Sequence, residues 1–454
     1  DRVAREMRKA GVPFLAGNAV SERTGKGYLP AYSIIKKGGV KVAVLGYTNA
    51  ANASLMDASC VSGLRFDSLL PLVQEDVDKV RSKEKPQVVI VVAHTSMGKG
   101  DGLNLEKQGL DLFNSLKGVD VLVTGHDHST KVLKTDSTVL LDCGRAGQYA
   151  CLADIKLVVR GGKVISRSLS GEVESFGSEN YDTAMEEAFK SDYEKVRDFN
   201  ASHVGEVKKD LVSREFYYRQ CDYMNFLHAL AFSAWPVDIS LSATLLIDGK
   251  VPAGEVRYQD IRKIYPYDNK LIVLRLTGAE ILRYLEASYD AWISTVPGPA
   301  EGTHVLRITQ TKDYATGGLK WKLAKSPANF DSAAGIRYTV DVTKPYGSRV
   351  TVSGMADGSP FEMDKDYSVA ITSYRSTGSG GLMKAAGLMD ARSVEDRIIY
   401  RGPEFRTILY RYLKKHGSID PAVVGDPNVV GSWRFVPDFA PEAIKADVEL
   451  IYGK

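Results

Sequence analysis

Three histidines follow apolar runs of the sequence. His94 ends the run PQVVIVVAH, and His126 and His128 lie one residue apart in VTGHDHST, which continues the run VDVLV. Runs this rich in Val, Ile and Leu are typical of strands buried on both faces of a parallel sheet. Ligands bind beyond the carboxyl ends of such strands, and neutral imidazoles suit transition metals. A single histidine there usually serves the turn alone, but three at two neighbouring strand ends favour a metal site.

A second group of candidate residues is aromatic. The segment YPYDN carries Tyr265 and Tyr267, and Tyr374 opens the glycine-rich segment YRSTGSGG. Two rings on separate loops can stack on the two faces of a nucleobase, and glycine lets the backbone approach a sugar closely. These segments therefore indicate a nucleoside site. The alternative is that one of the two neighbouring tyrosines simply packs in the core.

The elements that must position these residues follow from hydrophobic periodicity. Apolar runs alternate with helical patterns in the first part of the chain, which predicts a layered α/β sheet. Strands are predicted at 40–48, 86–94 and 119–126, and helices at 69–83 and at 105–118, the second closing on a glycine C-cap. Glycine turns between short apolar runs predict short antiparallel strands over residues 131–172.

The domain organisation is predicted from a change in polarity. Residues 179–204 are charged, helical in pattern and poor in apolar residues, which favours a linker helix. We therefore expect an α/β domain over 1–172, a linker helix within 173–206, and an α+β domain over 207–454.

Composition excludes several classes of protein. The 454 residues are 44% apolar and 25% charged, and the net charge of +3 provides no strong field for a nucleic acid polymer or a membrane. No apolar run approaches the roughly 18 residues of a membrane helix. The four cysteines form no C-x-x-C pair and are predicted to be separate, mostly buried thiols rather than disulfides. The oligomeric state is not predicted.

The segments VVAHTSMG and VTGHDHST resemble the last two sequence blocks of the calcineurin-like metallophosphoesterase family. The chain resembles the two-domain 5′-nucleotidase and 2′,3′-cyclic-nucleotide 2′-phosphodiesterase family in the order of its features. This resemblance implies part of a metallophosphoesterase β-sandwich with flanking helices, a linker helix, and a mixed α/β nucleotidase C-terminal domain. It also implies hydrolysis of nucleotide phosphoesters in nucleotide catabolism, at a periplasmic, cell-surface or secreted location.

The resemblance also implies roles for individual residues. Enzymes of this family hold two divalent ions, which could be Mn, Zn, Fe or Co. By position, His94 and His126 would bind one ion and His128 the other. Tyr267 and Tyr374 match the pair that stacks on the base, and Asn269 and Arg375 are candidates for contacts with the base or sugar.

Three earlier blocks of the family pattern, D-x-H, G-D and G-N-H, are absent from this sequence. Asn18 in LAGNAV has no following histidine and is not expected to be a ligand. The chain is therefore expected to be incomplete at its N-terminus, with the general-acid histidine upstream of Asp1 and its metal sites empty or partly filled. It would be either a piece of a larger enzyme or a nucleoside-binding remnant that no longer hydrolyses its ligand.

The substrate branch is indicated by another missing residue. The 5′-nucleotidase branch carries an arginine in G-G-I-R, whereas the stretch SLSATLLIDGKVPAGEVRYQD has none at that point, and Arg257 comes too late to replace it. The resemblance therefore favours 2′,3′-cyclic nucleotides and 3′-nucleotides, and 5′-nucleotides remain an alternative. A surface-interaction protein without nucleoside binding is the least favoured reading.

Overall fold

The computed structural model describes residues 2–56, 58–161, 163–177, 182–300, 302–312, 318–389, 391–424 and 431–453. These residues form two compact units, which divide between residues 186 and 187. We call them the first unit and the second unit. The division falls inside a helix, α6 (Thr183–Asn200), none of whose described side chains is buried. Residues 178–181 of the predicted linker lie outside the described residues, and the predicted boundaries at 172 and 206 remain a prediction.

The first unit consists of ten strands and five helices among its described residues. The strands are β1 (Ala19–Ser21), β2 (Tyr32–Lys37), β3 (Val40–Tyr47), β4 (Leu64–Phe66), β5 (Val88–Ala93), β6 (Val121–Thr124), β7 (Thr130–Lys134), β8 (Val139–Cys143), β9 (Tyr149–Arg160) and β10 (Lys163–Ser175). The helices are α1 (Arg2–Lys9), α2 (Asn52–Leu55), α3 (Ala58–Val61), α4 (Leu69–Glu84) and α5 (Gly109–Ser115).

The main sheet of the first unit has the strand order β2-β3-β5-β6-β8-β7. Strands β3, β5, β6 and β8 run parallel, and β2 and β7 close the two edges in the antiparallel sense. Helix α4 packs against this sheet because its apolar residues recur every three or four positions and form one stripe. These residues, all buried, are Leu69, Val73, Val77 and Val80. The sheet therefore brings the carboxyl ends of β5 and β6 side by side.

Two predicted elements of the first unit differ in the structure. The helix expected over 105–118 is confined to α5, and Leu116 after it is extended, so Gly118 is not its C-cap. Residues before α5 are used instead in tertiary bonds, since the side chain of Gln108 accepts the backbone N–H of Leu69 at the start of α4. The strands expected to be short include β9 and β10, which pair over 12 and 13 residues as a long antiparallel ribbon.

The prediction that the cysteines are separate thiols is wrong for two of them. Cys143 at the end of β8 and Cys151 near the start of β9 form a disulfide, with Cα atoms 5.5 Å apart. The link is short because the chain reverses between the strands through Gly144 and Gly147, both of which have positive φ. Cys60 is free and exposed, whereas Cys221 is free and buried.

The second unit has a larger set of elements. Its strands are β11 (His203–Val207), β12 (Leu211–Val212), β13 (Ile239–Ala243), β14 (Lys250–Val251), β15 (Gly254–Arg257), β16 (Lys270–Thr277), β17 (Ile308–Lys312), β18 (Leu319–Leu323), β19 (Asp331–Ala334), β20 (Ile336–Asp341), β21 (Val350–Met355), β22 (Asp366–Thr372), β23 (Ile398–Glu404), β24 (Ser418–Ile419) and β25 (Ser432–Val436). Its helices are α7 (Asp222–Ala234), α8 (Ile261–Ile264), α9 (Gly278–Trp292), α10 (Ser373–Ser376), α11 (Leu382–Ala385), α12 (Ala391–Arg397), α13 (Phe405–His416), α14 (Pro421–Val424) and α15 (Ala440–Tyr452).

The central sheet of the second unit has the strand order β19-β13-β22-β16-β23. Strands β13 and β22 are parallel, and β16 and β19 run opposite to their neighbours. Helix α9 begins with a capping box, in which Thr277 and Glu280 bond each other's backbone N–H groups. Because β16 and β19 are antiparallel to the inner pair, their first residues meet the last residues of β13 and β22 at one edge.

His228 on α7 lies in the core of the second unit, where 3% of its surface is exposed. Its two ring nitrogens contact Ser240 Oγ at 3.0 Å and Ser332 Oγ at 3.3 Å. Burial lowers the pKa of His228 from 6.5 to about 4. Both serine contacts serve a neutral ring, since a hydroxyl can either donate or accept.

We therefore expect acid to destabilise the protein through His228. A pKa lowered in the folded state means that the unfolded chain binds the proton first, so stability is present above pH 6.5 and falls toward pH 4. The expected loss is about 3 kcal/mol across this window. Urea unfolding of the wild type and of His228→Gln at pH 7 and pH 4 measures it, because only the wild type titrates at this position. An equal stability difference at both pH values would contradict the prediction.

Candidate functional site

A pocket of about 190 Å³ lies at the edge of the central sheet of the second unit, where the four strand ends meet. It is lined by Leu241, Ser242, Ala243, Leu245, Tyr267, Asn269, Ala328, Asp331, Thr372, Tyr374 and Arg375. We call it the aromatic pocket. The register of the central sheet explains which residues line the pocket. Ala243 at the end of β13 pairs with Asp331 at the start of β19, and Thr372 at the end of β22 pairs with Leu271 near the start of β16. The structure thus brings together all four residues that the sequence predicts for substrate binding.

The two tyrosines of the YPYDN turn face different surroundings. Tyr265 is 2% exposed and stacks on Phe405, with ring centroids 5.1 Å apart and planes 6° from parallel. Tyr267 is 46% exposed and lines the aromatic pocket. The Asn269 side chain hydrogen-bonds the Tyr265 hydroxyl, and burial raises the pKa of Tyr265 above its ordinary value despite that bond. The turn therefore places one ring in the core and the other at the pocket.

The second exposed ring of the pocket, Tyr374, sits at the start of the glycine-rich segment. It is 43% exposed and lies on the short helix α10, directly after β22. The guanidinium carbon of Arg375 lies 5.4 Å from the centroid of this ring, within the range of a cation–π contact. An exposed ring supported by a buried cation is well suited to stacking on a flat ligand.

Arg375 is one of the most fully bonded side chains of the second unit. It is 3% exposed, and its guanidinium donates to both carboxylate oxygens of Asp331, at 3.0 and 2.5 Å. It also donates to Asn329 Oδ1 at 3.0 Å and to the Ser379 carbonyl at 3.2 Å. Burial is the largest single influence on the pKa of Arg375 and would lower it, but the charges of Asp331, Tyr284 and Tyr374 and the hydrogen bond to Asp331 together raise the pKa above its ordinary value. The guanidinium thus joins Asp331, which forms the floor of the aromatic pocket, to the glycine-rich segment.

The three predicted metal ligands lie in the first unit on the segments that follow β5 and β6, which we call the histidine loops. His126 Nδ1 is 3.2 Å from His94 Nε2, and the two rings meet edge to face. His128 is exposed, and its charge contributes to lowering the pKa of His94, after burial and the charge of His126. Adjacent parallel strands therefore bring His94 and His126 into contact, as the sequence predicts for neighbouring strand ends.

The backbone of the second histidine loop is unusual. His126 and His128 have φ of 101° and 57°, in the region that residues with side chains seldom adopt. Asp127 between them serves the loop, since its carboxylate accepts the backbone N–H of Met97 at 3.2 Å and the hydroxyl of Ser129 at 3.3 Å. Strained conformations of this kind concentrate at functional sites.

The buried carboxyl of Asp142 lies next to this loop. Burial, together with the charge of Asp127 and a hydrogen bond to it, raises the pKa of Asp142 to about 6. Thr124 donates its hydroxyl to Asp142 at 3.3 Å.

Asn18, which is not expected to be a metal ligand, is buried. Its side-chain amide donates to the carbonyl oxygen of Thr48, and its side-chain oxygen accepts the backbone N–H of Thr48.

The chemistry of the histidine pair can be compared with that of a metal site. Two nitrogens that bind one ion at about 2.0–2.1 Å lie roughly 2.9–3.4 Å apart, and the observed 3.2 Å falls in this range. His94 and His126 therefore fit as two ligands of one ion. Within the described ranges, however, no three His, Cys, Asp or Glu side chains form a group that could hold an ion. The two-ion centre implied by the resemblance is not assembled by these residues alone.

Sequence analysis missed two residues that the structure brings to these sites. Glu106 contacts the ring of His126, with Oε1 3.0 Å from Nε2, although it belongs to the segment predicted as helix. Asp331 pairs with Arg375 and accepts the hydroxyl of Tyr284 at 2.6 Å. Neither residue lies in a motif, so only a predicted contact between distant segments could have found them.

Comparison with known proteins finds a family match within the second unit. Residues 203–387 match the family described as 5′-nucleotidase, C-terminal domain. A solved structure from Staphylococcus aureus described as a 5′-nucleotidase superposes on this chain with a TM-score of 0.65 at 17% sequence identity. The superposition covers 95% of this chain and 80% of the Staphylococcus aureus chain. The fold is thus that of the two-domain 5′-nucleotidases, and the predicted fold class is confirmed.

Relatives in sequence are named as nucleotide phosphoesterases and as an endonuclease. The trifunctional nucleotide phosphoesterase YfkN of Bacillus subtilis is 21% identical over 84% of this chain and 28% of its own length. The endonuclease YhcR of the same organism is 22% identical over 88% of this chain and 29% of its own length. The 2′,3′-cyclic-nucleotide 2′-phosphodiesterase/3′-nucleotidase of Salmonella typhimurium is 21% identical over the whole chain and 76% of its own length.

These findings confirm the family resemblance seen in the sequence. Residues 203–387 match the 5′-nucleotidase C-terminal domain, and the relatives of the chain include proteins named as nucleotide phosphoesterases. The chain spans less than a third of the length of the two Bacillus subtilis relatives. In the described part of the chain, no helix combines the length and the apolar character needed to cross a membrane.

Proposed function

We propose that this protein acts in the hydrolysis of nucleotide phosphoesters and that its second unit binds the nucleoside part of the substrate. The observation that carries the proposal is the aromatic pocket. Two tyrosines that are nearly half exposed line it, within a domain that matches the 5′-nucleotidase family. Relatives named as nucleotide phosphoesterases support the general class of reaction.

In this proposal the pocket recognises the base and sugar by stacking and by a few polar groups. Tyr267 and Tyr374 stack on the two faces of the base, which is a sequence-tolerant interaction because every base has two π faces. Asn269 and Arg375 contribute from the lining, Asn269 by its amide and Arg375 by fixing the shape of the floor. Few polar groups in a mostly apolar pocket are typical of small-molecule sites.

The proposal includes divalent ions at the histidine loops. His94 and His126 would hold one ion and His128 a second, with Mn, Zn, Fe or Co as candidates. Ions in such sites polarise phosphoryl oxygens and neutralise their charge. The residues of this chain would supply the ligand atoms and, through the bonds of Asp127 to Met97 and Ser129, hold the second histidine loop in its strained conformation.

We propose 2′,3′-cyclic nucleotides and 3′-nucleotides as the favoured substrates, with 5′-nucleotides as weaker ones. The reason is the missing arginine of the 5′-nucleotidase branch. Arg257 does not replace it, since it is exposed on β15, contacts Glu255 at 3.4 Å and does not line the aromatic pocket. A small-molecule nucleotide is thus the proposed partner, and the location proposed from the resemblance is the periplasm or the cell surface.

The proposal predicts measurable turnover that depends on the histidine loops. With added Mn²⁺, we expect release of product from 2′,3′-cyclic AMP and 3′-AMP to exceed that from 5′-AMP. A double variant, His126→Ala with His128→Ala, is expected to lose at least 100-fold in kcat/KM, on the order of the effect of removing essential groups. His203→Ala with His416→Ala, two exposed histidines elsewhere, is the matched control and should keep full activity.

The second candidate function is nucleoside binding without hydrolysis, which the absence of a third ligand among the described residues favours. Adenosine binding measured by tyrosine fluorescence separates the two. Binding without turnover of any of the three substrates would replace hydrolysis by binding as the function of this chain. Equal turnover by the wild type and the His126/His128 variant would contradict the proposed role of the histidine loops.

A further inference from the structure

A carboxylate lies on the far side of the His126 ring from His94. Glu106 Oε1 is 3.0 Å from His126 Nε2, whereas His126 Nδ1 is 3.2 Å from His94 Nε2. We propose that Glu106 is a positioning residue, which holds His126 in the tautomer protonated at Nε2 and so leaves the Nδ1 lone pair free to bind a divalent ion. The inference deepens the proposed function and rests on it for the identity of the site.

The geometry of the imidazole ring separates the two contacts. The two ring nitrogens point in different directions, and the bond made by one of them sets the protonation of the other. A single ion near Nδ1 and His94 therefore cannot also be bound at Nε2. Glu106 acts through His126 rather than on the ion, and an acceptor in this place orients a metal-binding histidine and strengthens it as a ligand.

The backbone of Glu106 is anchored next to the histidine loops. Its carbonyl oxygen accepts the Thr95 hydroxyl at 3.0 Å and the Asn49 amide at 3.1 Å. Its N–H donates to Asn104 Oδ1 at 3.0 Å. Thr95 follows His94 directly, and Asn49 lies just after β3, so both ties lead to strand ends beside the site. A carboxylate on a fixed backbone loses less entropy when it orients a ring than one on a free loop.

The tautomer can be measured without any metal. In the chain labelled with ¹⁵N at histidine, two-dimensional NMR at pH 8 is expected to show His126 protonated at Nε2 alone. Glu106→Ala is expected to give a mixture of tautomers, and Glu106→Gln to keep the Nε2 form, because an amide oxygen also accepts a hydrogen bond. A wild-type His126 protonated mainly at Nδ1 would overturn the proposal.

The consequence for ion binding is measured by titration with Zn²⁺ alone. Glu106→Ala is expected to raise the Zn²⁺ dissociation constant by about 10- to 100-fold, the usual effect of removing such a partner. In the His126→Ala background the same substitution should have no further effect. Glu255→Ala is the matched control, because Glu255 contacts another exposed histidine, His203, at 3.5 Å.

The outcomes distinguish this inference from the proposed function. Zn²⁺ affinity unchanged by Glu106→Ala, or equally reduced by Glu255→Ala, would overturn the role of Glu106 whatever the turnover. Absence of Zn²⁺ binding by the wild type would overturn it as well. If the wild type gives the expected Zn²⁺ and NMR results but does not turn over any nucleotide, the proposed hydrolysis is contradicted and the positioning role of Glu106 stands. Circular dichroism of each variant checks that the fold is retained.

Discussion

Replacing Tyr267 or Tyr374 with alanine is expected to weaken adenosine binding by about 5- to 150-fold. Stacking of a base on an aromatic side chain is worth about 1–3 kcal/mol, and each 1.4 kcal/mol is a factor of ten in affinity. Both rings are nearly half exposed and line the same pocket, so neither is required by the core of the second unit. Isothermal titration with adenosine measures the change directly.

Two sets of variants control this experiment. Tyr267→Phe and Tyr374→Phe keep the ring and should bind adenosine within a few-fold of the wild type. Tyr346→Ala removes a tyrosine that is 52% exposed and does not line the pocket, and it should leave affinity unchanged. If either pocket alanine variant binds as tightly as the wild type, that ring does not stack on the base.

The substitution Asp331→Ala is expected to destabilise the second unit by about 3–5 kcal/mol. It would leave the buried guanidinium of Arg375 without its carboxylate, and an unpaired buried charge carries a penalty of this size. The hydroxyl of Tyr284 would also lose its acceptor. Urea unfolding followed by circular dichroism measures the loss as a lower midpoint at unchanged slope.

The control is an ion pair of the same charge type on the surface. Lys190 and Glu187 on α6 are both more than half exposed, and Glu187→Ala should cost less than about 1 kcal/mol. Replacing both buried partners, as in Asp331→Leu with Arg375→Met, should destabilise less than Asp331→Ala alone, because no charge is left unpaired. A loss under 1 kcal/mol for Asp331→Ala would show that the buried pair does not hold the pocket floor.

Much of the fold can be predicted from periodicity, because burial imposes it directly. The runs that end at His94 and His126 are continuous in Val, Ile and Leu, and they form neighbouring parallel strands, β5 and β6. The stripe of α4 likewise follows from apolar spacing. Since parallel strands end at one edge, the meeting of the histidines follows from the same pattern.

What the sequence could not show are contacts between distant segments. The partners of His126 and Arg375 are Glu106 and Asp331, and neither has a local signal. The helix over 105–118 was predicted from periodicity and a glycine C-cap, whereas tertiary hydrogen bonds of Glu106 and Gln108 hold the residues before α5 outside the helix.

The disulfide was not predicted for a related reason. Cysteine spacing does not show that the chain reverses between β8 and β9, yet this reversal brings Cys143 within reach of Cys151. The role of Arg375 could not be foreseen either, because a polar residue in a glycine-rich segment is equally compatible with a ligand contact and with the buried network that the structure has.

The most direct test of nucleoside recognition is a crystal structure of this chain with adenosine bound. The proposed function predicts that the base lies between Tyr267 and Tyr374, with its sugar toward the glycine-rich segment that follows Tyr374. Adenosine bound elsewhere, or an empty aromatic pocket at a concentration that saturates binding in solution, would contradict it.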